Sequence, residues 1–351
     1  MTDRPIPTRF DTRTLLWILL AAGSLSALQS QTPQGRIPPM PPDAPAAWKQ
    51  LIGIYAGGAD AVYVAEERGH LCLITKRLAV AGLEQIRGDR YALDRSGILD
   101  DSVVVFHRSP NDRASGFVAG TRTYHRLVVG NENGKSFRIK PLKPANELRK
   151  IALAATPPKE TGDFLKPDFV DLSTLDPTIR FDIRYATTNN FVGEKFYTMP
   201  KAFLQRPAAE ALLRAHRWLK SYGFGLLIHD AYRPWYVTKM FWDATPDDKK
   251  IFVANPNDGS RHNRGCAVDL TLYNLKTGKQ VEMTGGYDEM SERSYPSFPG
   301  GTSLERWHRE LLKEAMELQG FKVFAWEWWH FDYKDWREYP IGTKTFEELA
   351  H

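Results

Sequence analysis

Short apolar runs separated by turn-forming residues characterise the chain up to about residue 142. The runs are rich in Val, Ile, Leu and Tyr, and stretches containing Gly, Asn and Asp lie between them. This pattern predicts short β-strands that form a small antiparallel sheet or barrel. The predicted strands are 61–64, 70–74, 102–106 and 124–129.

Helical periodicity appears in the second half of the chain. The spacing of apolar residues predicts a helix over 207–222, which Gly223 can end, and another over 303–319. Thr302 and Glu305 have the spacing of a capping box at the start of the second helix. Apolar runs predict strands at 226–228 and 324–333. The predicted fold class is α+β: a C-terminal domain with a central antiparallel sheet and flanking helices, preceded by a small mainly-β domain.

Composition changes divide the chain into segments. Pro, Gln and Ala are frequent in 28–47, as in flexible leaders, and prolines cluster again between Ala154 and Pro167. We expect a signal peptide at 1–26, a flexible leader at 27–47, a small antiparallel β domain at 48–145, a linker at 146–166 and the C-terminal domain at 167–351.

The first residues have the features of an export signal. Arg4, Arg9 and Arg13 precede an apolar run at 15–23, and small residues follow at 24–26. A run of this length is typical of a signal peptide and too short for an ordinary transmembrane helix. The predicted location is therefore periplasmic or secreted, with an uncleaved membrane anchor as the alternative. The run is not followed by a Cys that could carry a lipid.

Charge and cysteine content narrow the classes of partner. Charged residues make up 25% of the 351 residues, the formal net charge is +5, and the basic residues are scattered. Nucleic-acid binding requires a focused basic patch, so no nucleic-acid partner is expected. Cys72 and Cys266 fall in different predicted domains, so we expect no disulfide framework.

His262 and Asp269 are the first candidate metal ligands. Imidazole and carboxylate both bind zinc well, and Gly265 allows the chain to turn between them. Alternation over 267–272 directs Val268 and the other apolar residues to the core and Asp269 to the opposite face. A carboxylate in such a strand is costly unless it is paired or metal-bound. Taken alone, this pair favours structural hydrogen bonding over metal binding.

A second candidate group lies in the tryptophan-rich segment 326–331. His330 could supply a third ligand and leave a fourth position open for water, and Glu327 could take a proton from that water. In a regular strand Glu327 and His330 point to opposite faces, so a shared site requires a bend or bulge. The alternative is an aromatic core containing a satisfied Glu and His.

Arg233 is the third candidate. Pro234 restricts Arg233 to an extended conformation directly after the predicted strand at 226–228. A rigidly held guanidinium is suited to stabilising an oxyanion, because it stays charged. The alternative role for Arg233 is a structural ion pair with Asp230, and the sequence favours neither role over the other.

Together these segments resemble the zinc D-alanyl-D-alanine dipeptidase family, relatives of the D-Ala-D-Ala carboxypeptidases. The resemblance covers about 165–340, and its motifs stand in the family's order. They are IRYAT at 183–187, NFVG at 190–193, DAYRP at 230–234, SRHNRGCAVDL at 260–270, YDEMS at 287–291 and EWWHF at 327–331.

The resemblance implies a role for each candidate residue. His262, Asp269 and His330 would bind one zinc ion per chain. Glu327 would act as general base and then as general acid, and Arg233 would stabilise the tetrahedral intermediate. The residues implied to contact the small dipeptide substrate are Asp288, Ser260, Tyr185 and Phe191, with Asp288 facing the free ammonium. Cys266 stands where a small residue is usual and fits as a buried hydrophobe.

Three alternatives remain open. The chain could be a D,D- or L,D-carboxypeptidase of the same fold that acts on peptidoglycan stem peptides. It could be a binding protein that kept the metal and lost catalysis, although the complete set with Glu327 and Arg233 argues against this. The N-terminal β domain could also be the main element, through self-association or docking to the cell wall or another partner.

Overall fold

The computed structural model describes residues 37–58, 60–130 and 138–350. The predicted signal peptide at 1–26 lies outside these residues. The predicted flexible leader at 27–47 is described from residue 37, and a hydrogen bond attaches it to the helix at Ser303–Glu317: the Trp307 indole N–H donates to the Pro38 carbonyl at 2.8 Å. None of the described helices is long and apolar enough to cross a membrane.

A short helix, α1 (Ala46–Lys49), leads into a closed barrel of eight antiparallel strands. They are β1 (Gly53–Gly57), β2 (Asp60–Glu67), β3 (His70–Thr75), β4 (Val80–Arg87), β5 (Arg90–Leu93), β6 (Val103–Arg108), β7 (Ala114–Ala119) and β8 (Arg122–Leu127). β1 pairs with both β2 and β8, which closes the barrel. Aromatic rings fill its interior, among them Tyr55, Phe106 and Phe117 with centroids 5.2–6.2 Å apart.

The predicted β domain is therefore a barrel rather than an open sheet. All four predicted strands are present, as β2, β3, β6 and β8. β1, β4, β5 and β7 were not predicted, because Gly, Ala and charged residues interrupt their apolar pattern.

Helix α2 (Ala145–Ala154) occupies the beginning of the predicted linker at 146–166. Leu148 and Ala152 lie one helical turn apart and are buried in the main hydrophobic core. The prediction of a linker was therefore wrong for this segment, because its apolar residues precede the prolines and have helical spacing.

The rest of the chain is built around a five-stranded sheet. Its elements are β9 (Phe169–Asp171), β10 (Arg180–Phe181), β11 (Phe203–Gln205), α3 (Arg206–Lys220), β12 (Phe224–Asp230), α4 (Trp235–Ala244), β13 (Ala267–Asn274), α5 (Ser303–Glu317), β14 (Phe321–Phe324), β15 (Glu327–Tyr333) and α6 (Phe346–Leu349). The sheet order is β10-β12-β13-β15-β14, and β9 pairs with β11 separately. The edge pair β10–β12 is parallel and the other pairs are antiparallel, so the predicted central antiparallel sheet has one parallel edge.

The two predicted helices are confirmed as α3 and α5. The α5 capping box is complete, because the Thr302 hydroxyl accepts from the Glu305 N–H and the Glu305 carboxylate accepts from the Thr302 N–H. The strand predicted at 324–333 differs: β14 ends at Phe324, a two-residue turn follows, and β15 begins at Glu327.

Candidate metal centre and surrounding cavity

The segment before β13 places His262. A 3-10 turn at Arg261–Arg264 begins at Ser260, whose side chain accepts from the His262 N–H, and ends at Gly265 with φ +68°. Glycine suits this left-handed position, and a Cβ there would also overlap the Phe169 ring. His262 Nδ1 lies 2.7 Å from the Ala231 carbonyl, so Nδ1 carries the proton and Nε2 is left as the metal-binding atom.

β13 and β15 bring Asp269 and His330 together, because the two residues are paired in register. His330 Nδ1 lies 3.0 Å from Asp269 Oδ1, and its Nε2 donates to Asp332 Oδ1 at 3.0 Å. Asp332 in turn accepts from Arg261 at 2.5 Å. Asp332 thus fixes the ring so that Nδ1 faces Asp269.

The three candidate ligand atoms form a compact triangle. His262 Nε2 lies 3.1 Å from His330 Nδ1 and 3.4 Å from Asp269 Oδ1, and the third side is 3.0 Å. The ligand atoms of a tetrahedral zinc ion lie about 3.3 Å apart, given bonds of about 2.0–2.1 Å. Three buried ligands of this type and spacing fit zinc and leave a fourth position for water or substrate.

The charges at this triangle are tightly coupled. Burial alone would raise the pKa of Asp269, but His262 and His330 hold it well below its usual range. Burial would lower the pKa of His330, but its hydrogen bonds to Asp269 and Asp332 raise it to about 10. Two carboxylates on one imidazole create a site that attracts a positive charge.

Glu327 reaches this site because β15 is irregular. Phe324 pairs with Glu327, whereas the preceding Val323 pairs with Phe331, so one step along β14 corresponds to four along β15. The resulting bulge removes the alternation that would direct Glu327 and His330 to opposite faces. Glu327 Oε2 lies 3.8 Å from His330 Nδ1, and loss of solvent raises the pKa of Glu327, with His330 opposing the shift.

Arg233 is held by a buried carboxylate at the end of β12. Asp230 Oδ2 accepts from Arg233 Nη2 at 2.7 Å and from Nε at 3.2 Å. The Tyr197 hydroxyl donates to Asp230 Oδ1 at 2.5 Å, which orients the carboxylate. The guanidinium lies 4.8 Å from the Phe241 ring centroid, and Arg233 lines the cavity that also contains the three candidate ligands. Arg233 therefore forms the structural ion pair with Asp230 and also borders the cavity.

Asp288 lines the same cavity as the three residues of the metal triangle. Its carboxylate accepts from the Tyr185 hydroxyl at 3.1 Å, and its backbone φ is +56°. Burial raises the pKa of Asp288, and the nearby Asp269 and Glu327 raise it further. The Tyr287 hydroxyl donates to Asp269 Oδ2 at 3.0 Å. An additional positive charge would stabilise this group of carboxylates.

One cavity of about 730 Å³ brings all the predicted site residues together. They are Tyr185, Phe191, Arg233, Ser260, His262, Asp269, Asp288, Glu327 and His330. Apolar side chains form much of its outer rim, including the exposed Ile251 and Trp326.

Three supporting residues were not predicted as part of the site: Asp332, Tyr287 and Tyr197. Asp332 shares the strand alternation of His330, which is a usable sequence signal. Tyr197 contacts Asp230 from a distant segment, so the sequence alone carried no signal for it. Tyr287 contacts Asp269 and stands directly before Asp288 in the YDEMS motif, which is a usable signal. Cys266 is fully buried, and burial raises the pKa of its thiol to about 12, which suits a packing role.

Comparison with known proteins gives a consistent result. A family model described as "D-ala-D-ala dipeptidase" matches residues 166–347. The chain is similar to D-alanyl-D-alanine dipeptidases from Escherichia coli (34% identity over 179 residues, covering 51% of this chain and 91% of the relative) and Enterococcus faecium (34% over 196 residues, 51% and 96%). It is also similar to one from Streptomyces coelicolor (36% over 193 residues, 50% and 93%). The family match begins after the barrel strands β1–β8.

Proposed function

Because the chain belongs to the D-alanyl-D-alanine dipeptidase family of metallopeptidases, we propose that it hydrolyses D-alanyl-D-alanine to two molecules of D-alanine. We further propose that His262, Asp269 and His330 hold one zinc ion per chain. The observation that carries this proposal is the triangle of ligand atoms 3.0–3.4 Å apart, with Glu327 beside it.

The three ligands suit zinc in donor type and in orientation. A zinc ion held there would lower the pKa of water to about 7 and polarise the substrate carbonyl. The Ala231 carbonyl and the Asp332 carboxylate fix the two imidazole rings, so their metal-facing nitrogens need no rearrangement.

Glu327 moves the proton in this mechanism. It accepts a proton from the attacking water as the water oxygen bonds to the carbonyl carbon. It then donates that proton to the leaving nitrogen as the C–N bond breaks. Its pKa, raised by loss of solvent, brings the carboxylate closer to the working pH and makes it better suited to both steps.

Arg233 stabilises the negative oxygen of the tetrahedral intermediate. The Asp230 carboxylate and the rings of Tyr185 and Phe241, which contact the guanidinium, hold it in place before substrate binds. A donor oriented in advance stabilises developing charge without the cost of reorganisation.

Asp288 supplies the recognition of a free dipeptide. Both arginines that line the cavity already face carboxylates, Arg233 with Asp230 and Arg261 with Asp332. The carboxylates of Asp269, Asp288 and Glu327 therefore favour an added cation, and the substrate ammonium provides one. Ser260, Tyr185 and Phe191 line the same cavity and contact the ends of the dipeptide in this proposal.

A carboxypeptidase acting on peptidoglycan stem peptides is the second candidate. The observation that favours it is the cavity volume of about 730 Å³, within the range of about 300–1,000 Å³ found for drug-sized ligands and ample for a dipeptide. Such an enzyme would accept a substrate whose amine is blocked.

A metal assay combined with a release assay tests the proposal. The purified protein is analysed for bound zinc, and D-alanine release is measured with D-Ala-D-Ala and with an amine-blocked tripeptide ending in D-Ala-D-Ala, with and without chelator. We expect chelator-sensitive cleavage of the free dipeptide only. Preferential cleavage of the blocked tripeptide would favour the carboxypeptidase, and chelator-resistant activity would contradict the metal assignment.

A further inference from the structure

The outer face of the barrel packs against the segment between β13 and α5, which carries Asp288. Tyr63 of β2 meets Phe298 edge to face, with ring centroids 5.3 Å apart. Ile54, Cys72 and Ile74 of the barrel join the same buried cluster. This apolar contact fixes the segment against a surface that lies outside the family match.

Polar contacts attach the same segment more specifically. The Tyr63 hydroxyl donates to Glu292 Oε2 at 2.8 Å, and Lys76, the residue after β3, forms an ion pair with that carboxylate. Glu292 lines the catalytic cavity. Near the start of α5, Arg306 donates to Glu67 of β2 at 2.6 Å. The barrel thus contacts both the cavity wall and the helix that follows it.

The chain leaving the barrel also contacts the residue next to Asp288. Gly130, just after β8, lies so close to Glu289 that a Cβ at position 130 would overlap its carboxylate. Glu289 is buried, and its carboxylate accepts from the Gly286 N–H at 2.8 Å and from the Ser291 hydroxyl at 2.6 Å. The carboxylate would have to break these hydrogen bonds to move away from a Cβ at position 130.

These Glu289 hydrogen bonds close the turn that presents Asp288. The turn spans Gly286 to Glu289, and Asp288 within it has φ +56°. A non-glycine residue in the left-handed region persists only where its surroundings hold it there. The position of the Asp288 carboxylate therefore depends on Glu289, and Glu289 depends on the space left by Gly130.

We propose that the barrel is a positioning element for substrate recognition: through Gly130, Tyr63 and Lys76 it holds the 286–292 wall so that Asp288 faces the substrate ammonium. This inference rests on the proposed dipeptidase function. None of these three residues lines the cavity, and each acts through Glu289 or Glu292.

Gly130→Ala and Gly88→Ala provide a matched test in the full-length zinc enzyme. Both glycines have φ +55°, so the added methyl strains the backbone equally, but a Cβ at Gly88 meets nothing within 4 Å. We measure kcat and KM for D-Ala-D-Ala, together with zinc content and melting temperature. For Gly130→Ala we expect KM to rise about tenfold and kcat to change by less than about threefold, since a weakened ammonium contact is lost equally in ground and transition states. Gly88→Ala should match the wild type.

A second variant keeps the inference testable if Gly130→Ala does not fold. Tyr63→Phe retains the ring against Phe298 and removes only the hydroxyl that donates a hydrogen bond to Glu292. It should therefore also raise KM, but by a smaller factor than Gly130→Ala. Equal KM values in wild type, Gly130→Ala and Tyr63→Phe would overturn the inference, as would a loss of kcat at constant KM. A wild-type enzyme that does not cleave D-Ala-D-Ala would instead overturn the proposed function.

Discussion

At the scale of single residues, each histidine of the candidate metal centre has its orientation set by a hydrogen bond from the ring nitrogen that faces away from the triangle. His262 donates to a backbone carbonyl, which a side-chain substitution cannot remove, whereas His330 donates to the Asp332 carboxylate. Asp332 is therefore the accessible point at which ligand orientation can be tested without touching a ligand.

Asp332→Ala should weaken zinc binding by about 10- to 100-fold, the usual effect of removing such a partner. The His330 ring would lose the acceptor that fixes its tautomer and orientation. Competition with a chromophoric chelator measures the affinity. Asp332→Asn is the milder control, because its amide oxygen can still accept from His330. Unchanged affinity in both variants would show that Asp332 does not orient the ligand.

Glu327→Gln should keep stoichiometric zinc and lose about a hundredfold or more in kcat, because an amide of the same shape cannot accept the proton. Glu327 is not one of the three ligand residues of the triangle, so metal content distinguishes the two roles. Metal analysis and D-alanine release on the same preparation make the comparison. Full activity in this variant would remove Glu327 from the mechanism.

At the scale of elements, His216 joins α3 to β12 and to the segment that precedes β10. The buried ring accepts from the Leu226 N–H of β12 at Nδ1 (3.2 Å) and donates from Nε2 to the Thr178 hydroxyl (2.8 Å). Both ring nitrogens are used by the neutral form, and a second proton at Nδ1 would face an N–H. Burial lowers the pKa of His216 from 6.5 to about 4, with Asp176 opposing the shift.

This shift predicts that stability falls as the pH drops below about 6.5. Between about pH 6.5 and 4 the unfolded chain binds a proton at His216 and the folded chain does not, so the free energy of unfolding decreases. The loss between pH 7 and 5 from this group is about 2 kcal/mol. Urea unfolding at both pH values measures it, and His216→Gln should lose about that much less than the wild type. An identical pH dependence in both proteins would contradict the assignment.

The helices could be predicted from the sequence because their signals are local, and the motifs that carry the candidate site residues are local as well. The α5 boundary follows from Thr302 and Glu305, which cap it within one turn. β4 and β7 were missed because they contain Gly82 and Gly116, and the neighbouring strands of the closed barrel, rather than intrinsic propensity, hold them in place. The bulge that brings Glu327 to His330 was required by the chemistry, but its register depends on pairing with β14.

At the scale of the whole molecule, the buried apolar residues that the structure describes form three clusters, one of which connects the barrel to the catalytic part. One fills the barrel, one fills the catalytic part, and the third contains Tyr63, Ile74 and Phe298 from both. The ion pairs of Lys76 with Glu292 and of Arg306 with Glu67 surround the third cluster. Unfolding either part would expose this shared apolar surface, so the two parts should unfold together.

Zinc removal should therefore shift one cooperative transition. A ligand that binds only the folded state stabilises it by about 2.7 kcal/mol when its free concentration is a hundred times its Kd. Differential scanning calorimetry of zinc-loaded and chelated protein should show a single peak, and chelation should lower its melting temperature by roughly a few degrees. In His262→Ala the peak should stay in place when zinc is added or removed, because a ligand is missing. Two peaks, of which only one responded to zinc, would mean that the barrel unfolds independently. In that case the contacts around Tyr63 and Phe298 would contribute little to the stability of the catalytic part.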